Sequence, residues 1–144
     1  MKGISVKQAA EAVGGRLSGS GDAELELKGL VIDSRNVMPG FAFAAIVGKR
    51  ADGHDYINKA FELGASCCFV ERDIPGAPGC LIVVDSTAKA MARLAEAYRK
   101  MLDIPVIGIT GSVGKTTAKE MISAVLSQRL KVLKTDKKIG RASC

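Results

Sequence analysis

P-V-I-G-I-T-G-S-V-G-K-T-T, residues 105–117, decides how this chain is read. Pro105–Ile109 is rich in β-branched side chains and predicts a strand. Thr110–Thr117 is a glycine-rich turn closing on Lys115 and Thr116, after which Ala118, Met121, Ile122 and Val125 recur at helical spacing. A strand, a glycine-rich turn and a Lys-Thr pair opening a helix are the context of a P-loop. The physical basis is direct. Glycines let the backbone approach phosphate oxygens, and the helix N-terminus presents its unpaired N–H groups to them. Gly111, Ser112, Val113, Gly114, Lys115, Thr116 and Thr117 are therefore the predicted cradle for ATP. Lys115 is the candidate catalytic cation, placed for the β- and γ-phosphates, and the Thr116 hydroxyl is the candidate Mg²⁺ ligand. The general spacing asks for glycine at position 109, where this chain has Ile109, so the motif is the shorter G-x-x-G-K-T.

Upstream, strands alternate with helices. Ser5 is a candidate N-cap; Val6, Ala9, Ala10 and Val13 follow at helical spacing, and Gly14-Gly15 closes the helix. Residues 25–32 predict a strand, and Asp33-Ser34-Arg35 comes directly after it. Met38-Pro39-Gly40 predicts a turn, 41–47 a strand, 55–63 a short helix closed by Gly64, and 67–70 and 81–84 two buried strands. Ser86 caps a long helix through about Leu102. Its predicted apolar face runs through Met91, Leu94, Ala95, Tyr98, Met101 and Leu102, and Glu96 and Lys100 form an i,i+4 pair on it. Val132-Leu133 is a candidate start of a further strand.

The expected class is α/β, with a boundary near residue 85. Residues 1–85 form a small α/β domain of four candidate strands. Residues 86–144 are the start of a P-loop domain, whose core one strand and two helices cannot close.

Composition narrows the classes further. No apolar run reaches the ~18 residues needed to cross a bilayer, and Met1–Val6 begins no secretory signal, so no membrane association and a cytoplasmic setting are expected. Cys67, Cys68, Cys80 and Cys144 form no C-x-x-C pair, which argues against zinc; small buried hydrophobes in a reducing compartment is the reading. The net charge is +6, concentrated partly in Arg129, Lys131, Lys134, Lys137, Lys138 and Arg141. With 4% aromatic residues and no Trp there is no stacking platform, so no nucleic-acid partner is expected and polyanionic small molecules fit better.

Asp33-Ser34-Arg35 and Asp52-Gly53-His54-Asp55 are each commonplace turns. In series they are not: Asp33-Ser34-Arg35, Pro39-Gly40, Phe43, Ala45, Gly48, Asp52-Gly53-His54-Asp55, Ala60, Gly64-Ala65 and then Thr110–Thr117. This order closely resembles the Mur ligases of peptidoglycan synthesis. Thr110–Glu120, with Ser112 and the Lys119-Glu120 pair, looks most like the MurF branch, which joins D-alanyl-D-alanine to UDP-N-acetylmuramoyl-tripeptide. The MurE branch, the alternative, usually reads T-G-T-N-G-K-T here. A non-catalytic UDP-sugar-binding module is a further alternative.

The resemblance implies roles. Ser34 and Arg35 would contact the uridine diphosphate portion of the precursor, with Gly53 and His54 near the same pocket. ATP would phosphorylate the precursor's terminal carboxylate, and the amine of D-alanyl-D-alanine would displace phosphate from the acyl phosphate. ATP and Mg²⁺ are the implied cofactors, both substrates are small molecules, and a monomer is expected. After the P-loop helix the family continues through an Asn-rich segment that Lys134–Gly140 lacks, and its further magnesium carboxylate, modified lysine and last domain have no counterpart here. The expectation is a truncated chain that does not complete the ligase reaction alone.

Overall fold

The capping box at Ser5 starts the structure. In the computed structural model, which describes residues 3–48 and 51–135, the Gln8 N–H donates to Ser5 Oγ at 3.3 Å. The Ser5 N–H donates to Gln8 Oε1 at 2.9 Å. Two orphan donors of helix α1, Val6–Val13, are thereby satisfied reciprocally. Gly14 ends the helix at φ +69°, a left-handed conformation open to glycine without steric cost.

Five strands form one sheet: β1 Arg16–Gly19, β2 Gly29–Val31, β3 Phe41–Ala44, β4 Cys67–Val70 and β5 Cys80–Val83, in the order β1-β5-β4-β3-β2. β2 to β5 are mutually parallel, and β1 runs antiparallel to β5. Residues along β3 and β4 alternate between two cores, as a period of two requires. Ala42, Ala44, Cys67 and Phe69 pack with α1 and with α3, Thr87–Met101. Phe43, Ala45, Cys68 and Val70 pack on the other face with α2, Ile57–Glu62. Burying side chains as large as Phe43 and Phe69 contributes about 1.5–3 kcal/mol each. Adjacent Cys67 and Cys68 fall on opposite faces, and burial raises both thiols, Cys68 to about 12, so neither is a nucleophile near neutral pH.

Several expectations change. The strand expected over 25–32 is reduced to Gly29–Val31. Leu25 to Leu27 instead pair with the entry to α1: Val6 N–H donates to Leu25 O at 3.0 Å and Leu27 N–H to Ile4 O at 2.9 Å. β3 ends at Ala44 rather than 47, because the chain turns back there to form the Val47–Asp52 bridge. The helix expected over 55–63 is a 3-10 turn, Gly53–Tyr56, followed by α2. β1 was not anticipated. Arg-Leu-Ser-Gly carries no strand signal, and edge pairing with β5 supplies what local propensity does not. On α3, Thr87, Ala90 and Leu94 are buried, whereas Ala95 and Met101 are exposed.

The boundary also moves. The chain divides into compact units at residues 1–103 and 104–144 rather than near 85. The physical reason is α3. Leu94 is buried in the first unit's core, and Arg93 Nη1 donates to Val13 O at 3.1 Å at the end of α1.

In the second unit, Pro105–Ile109 is not a strand, and neither is Val132-Leu133. A parallel strand needs a neighbour to accept and donate its ladder bonds. Among the described residues these segments have none; Val106 is 63% exposed and Leu133 fully so. Helix α4, Lys115–Leu126, forms as expected, with Met121 and Val125 exposed. The tail residues Lys137, Lys138, Arg141 and Cys144, and the Ile139-Gly140 step, lie outside the described residues. Among the described residues no helix is long and apolar enough to cross a membrane.

Candidate functional site

Parallel order brings the carboxyl ends of β2 and β3 side by side, and both upstream motifs sit there. In open α/β sheets that edge is where ligands bind, because loops leaving the strands converge and their polar groups face solvent.

Asp33 follows β2 and caps the 3-10 turn Ser34–Asn36 by accepting the Arg35 N–H at 3.0 Å. The same carboxylate accepts Arg35 Nε at 2.9 Å and Nη2 at 2.7 Å. These hydrogen bonds lower the Asp33 carboxyl to about 2 and raise the Arg35 guanidinium further. Arg35 is exposed and Ser34 partly so, which suits both to a solvent-borne ligand.

The second motif is placed differently. Asp52 accepts the His54 N–H at 2.9 Å and lies 2.6 Å from His54 Nδ1. His54 Nε2 accepts the Glu71 N–H at 2.9 Å, just past the end of β4. The ring is therefore a neutral imidazole with its proton on Nδ1, a tautomer read from its partners. Its side chain is 1% exposed, and both nitrogens are occupied. The ring joins the 53–56 turn to β4. A Cβ at Gly53 would stand 2.6 Å from Ile46 N and 2.8 Å from Ala45 Cα, so glycine is needed for close backbone packing.

The missed members of this edge are charged groups around the motifs. Arg72 Nη2 donates to Asp52 Oδ2 at 3.0 Å. The hydrogen bonds from His54, then that from Arg72, hold the Asp52 carboxyl well below the usual carboxylate range. Glu71 Oε1 accepts both the N–H of Thr87 at 2.8 Å and its hydroxyl at 3.0 Å, pinning the start of α3. Sequence offers one usable signal among these, an Asp two residues before its partner at a strand end, the pattern of an Asx turn.

A groove of about 740 Å³ lies at the opposite, amino end of β4 and β5. Its lining includes Asp22 and Glu62 and none of the predicted residues, and two carboxylates disfavour a phosphate ligand there.

In the second unit the loop before α4 has the geometry a phosphate cradle needs. Gly111 has φ +143° and Gly114 has φ +79°, and Gly114 is the N-cap of α4. The first bond of the helix runs from Ala118 N–H to Gly114 O at 2.9 Å. The N–H groups of Lys115, Thr116 and Thr117 precede the intrahelical ladder and form its positive end. The Lys115 ammonium folds back over the loop, donating to Gly111 O and, at 3.3 Å, to Ser112 O. That places the cation at the start of its helix. Lys119 contacts Glu120 at 3.4 Å and donates to Thr135 O at 2.5 Å. For a divalent cation the described residues offer the Thr116 hydroxyl at the first turn; among them no group of three His, Cys, Asp or Glu side chains could hold a metal.

A mostly parallel α/β sheet with polar loops on its carboxyl edge, followed along the chain by a glycine loop at a helix N-terminus, defines the class as α/β. Comparison with known proteins narrows this. Residues 26–99 match the Mur ligase family, catalytic domain, and residues 109–143 match the Mur ligase middle domain. The chain belongs to the Mur ligase family. UDP-N-acetylmuramoyl-tripeptide–D-alanyl-D-alanine ligase of Bacillus subtilis is 39% identical over 133 residues, 91% of this chain and 29% of that protein. The Escherichia coli ligase of the same name is 36% identical over 89% of this chain and 27% of its own length. Among solved structures, MurF of Acinetobacter baumannii superposes with a TM-score of 0.76 at 32% identity, covering 87% of this chain and 27% of that one. MurF of Thermotoga maritima in complex with ADP gives 0.68 at 34%, covering 81% and 26%. The chain thus spans under a third of the length of these relatives.

Proposed function

We propose that this chain carries the nucleotide-precursor-binding unit and the ATP-binding loop of a ligase that joins D-alanyl-D-alanine to UDP-N-acetylmuramoyl-tripeptide. The observation that carries it is the Gly111–Thr117 loop at the head of α4, with the Lys115 ammonium folded over it, in a chain of this family. The first unit, residues 1–103, takes the UDP end of the precursor through Ser34 and Arg35. A forked guanidinium suits a diphosphate better than a point charge does. The second unit takes the ATP phosphates on the backbone N–H groups of 111–117 and on Lys115.

The chemical need follows from the substrate. A carboxylate is already anionic and resists an amine, so it must first carry a leaving group. Transfer of the γ-phosphoryl group of ATP gives an acyl phosphate and ADP; the amine of D-alanyl-D-alanine then attacks the acyl carbon and phosphate leaves. Lys115 offsets negative charge as the phosphoryl group moves, and the loop's N–H groups hold the β-phosphate still. Thr116 would ligate Mg²⁺, which when bound neutralises charge on the phosphates. Such precursors and ATP place the reaction in the cytoplasm.

A second reading has an observation of its own. A diaminopimelate-adding ligase from Syntrophomonas wolfei is 37% identical over 75% of this chain and 23% of its own length. The two readings differ in the precursor accepted. Calorimetric titration of the chain with UDP-N-acetylmuramoyl-tripeptide and with UDP-N-acetylmuramoyl-L-alanyl-D-glutamate tests them. Tighter binding of the tripeptide supports the first and tighter binding of the dipeptide the second. Absence of binding by either, with Arg35→Ala indistinguishable from the parent, removes both.

A further inference from the structure

Asp33 makes two kinds of contact at the end of β2. Its Oδ1 accepts the Arg35 backbone N–H at 3.0 Å, which caps a turn. Its two oxygens also grip the side chain, Oδ1 taking Nε at 2.9 Å and Oδ2 taking Nη2 at 2.7 Å. A two-pronged contact of this kind fixes the direction of a guanidinium as well as its distance. It occupies the Nε–Nη2 edge. The planar fork has a second edge, made by Nη1 and the outer N–H of Nη2, which therefore faces away from Asp33. The Arg35 side chain is 86% exposed, so little else restricts its rotamers.

We propose that Asp33 is a positioning residue for Arg35, holding the guanidinium so that its outer edge meets a phosphate group of a nucleoside diphosphate at the carboxyl end of β2. This rests on the reading above that Arg35 contacts the precursor's diphosphate. Two effects oppose each other. The Asp33 charge repels a phosphate, but it acts on the far side of the guanidinium and in solvent, where charges are screened within ~10 Å. Alignment acts at contact distance and removes the ordering cost from the binding step. Alignment prevails, which gives a result with the opposite sign to simple charge counting: removing this negative charge weakens binding of an anion.

The test uses UDP as the probe, titrated into the 144-residue chain and its Asp33→Asn, Asp33→Ser, Arg35→Ala and Asp33→Asn/Arg35→Ala variants. Asn and Ser each keep an acceptor for the Arg35 N–H, so the cap persists, but neither offers the second carboxylate oxygen to Nη2. UDP affinity is expected to fall about tenfold, ~1.4 kcal/mol, in both Asp33 variants, measured at a temperature where circular dichroism shows each to be fully folded. In the Arg35→Ala background Asp33→Asn is expected to add nothing. Unchanged or tighter UDP binding in the Asp33 variants would overturn the proposal while leaving the diphosphate reading intact if Arg35→Ala still weakens binding. An equal loss in the Arg35→Ala background would reduce Asp33 to a structural role. UDP binding indifferent to Arg35→Ala would remove the diphosphate reading itself.

Discussion

His54 Nε2 accepts the backbone N–H of Glu71 at 2.9 Å, so one buried ring joins the turn after β3 to the end of β4. The partner of Nδ1, Asp52, is itself held by Arg72. The sheet's carboxyl edge is thereby braced behind the loops that carry Ser34 and Arg35.

His54→Ala should destabilise the first unit by about 2–4 kcal/mol, since it strands the Glu71 N–H and leaves a void. His54→Phe refills the volume without restoring either hydrogen bond and should recover only part of this. Urea unfolding followed by circular dichroism reads both; equal stability of parent and His54→Ala would contradict the brace.

Gly53→Ala should cost about 1–3 kcal/mol through overpacking, because the new methyl would meet the backbone at Ile46 and Ala45 and not a movable side-chain tip. The same denaturation series measures it. A neutral Gly53→Ala would show that the 45–46 segment yields easily.

Because α3 completes the first core, a polypeptide of residues 1–103 should fold cooperatively and one of residues 1–85 should not. Leu94→Ala in the full chain should cost about 2.7–5 kcal/mol, the range for a buried leucine. Amide-proton dispersion in nuclear magnetic resonance spectra separates the two lengths, and a well-dispersed 1–85 spectrum would restore the earlier boundary.

Acid should weaken the first unit through Asp33 and Asp52. Both carboxyls are lowered in the folded state, Asp33 to about 2 from its ordinary 3.8. A depressed carboxyl contributes its stability above the unfolded value, and the contribution is lost as pH falls through the folded value. Urea midpoints should therefore decline from about pH 4 downward. Asp33→Asn and Asp52→Asn should each lower the midpoint at neutral pH and flatten the decline; a decline as steep in the double variant as in the parent would assign it to other groups.

Lys115→Ala should weaken ATP binding at least tenfold, because the loop's only side-chain cation is lost while the backbone N–H groups remain. Gly114→Ala should weaken it through the backbone, since φ +79° strains any L side chain. Fluorescent ATP-analogue displacement measures both, and binding insensitive to either change would place the nucleotide elsewhere.

Local chemistry was readable from residues a few positions apart. Ser5, Gly14 and Ser86 mark helix ends through hydrogen bonds and backbone freedom that each residue carries with it. Gly111–Thr117 announces a phosphate loop for the same reason, and the α/β class follows from alternating periods along the chain. Other features depend on partners far away in sequence. β1 exists because β5 offers it an antiparallel edge far along the chain, with Arg16 opposite Val83 and Gly19 opposite Cys80. Pro105–Ile109 has the composition of a strand and, among the described residues, no neighbour to pair with. His54 reads as a loop residue open to a ligand until Glu71 is folded against it, and Asp33 reads as a cap until its second oxygen is seen on Arg35. Propensity and capping are properties of a segment; burial, strand pairing and the direction of a charged side chain belong to the assembled fold, so only the tertiary structure decided them.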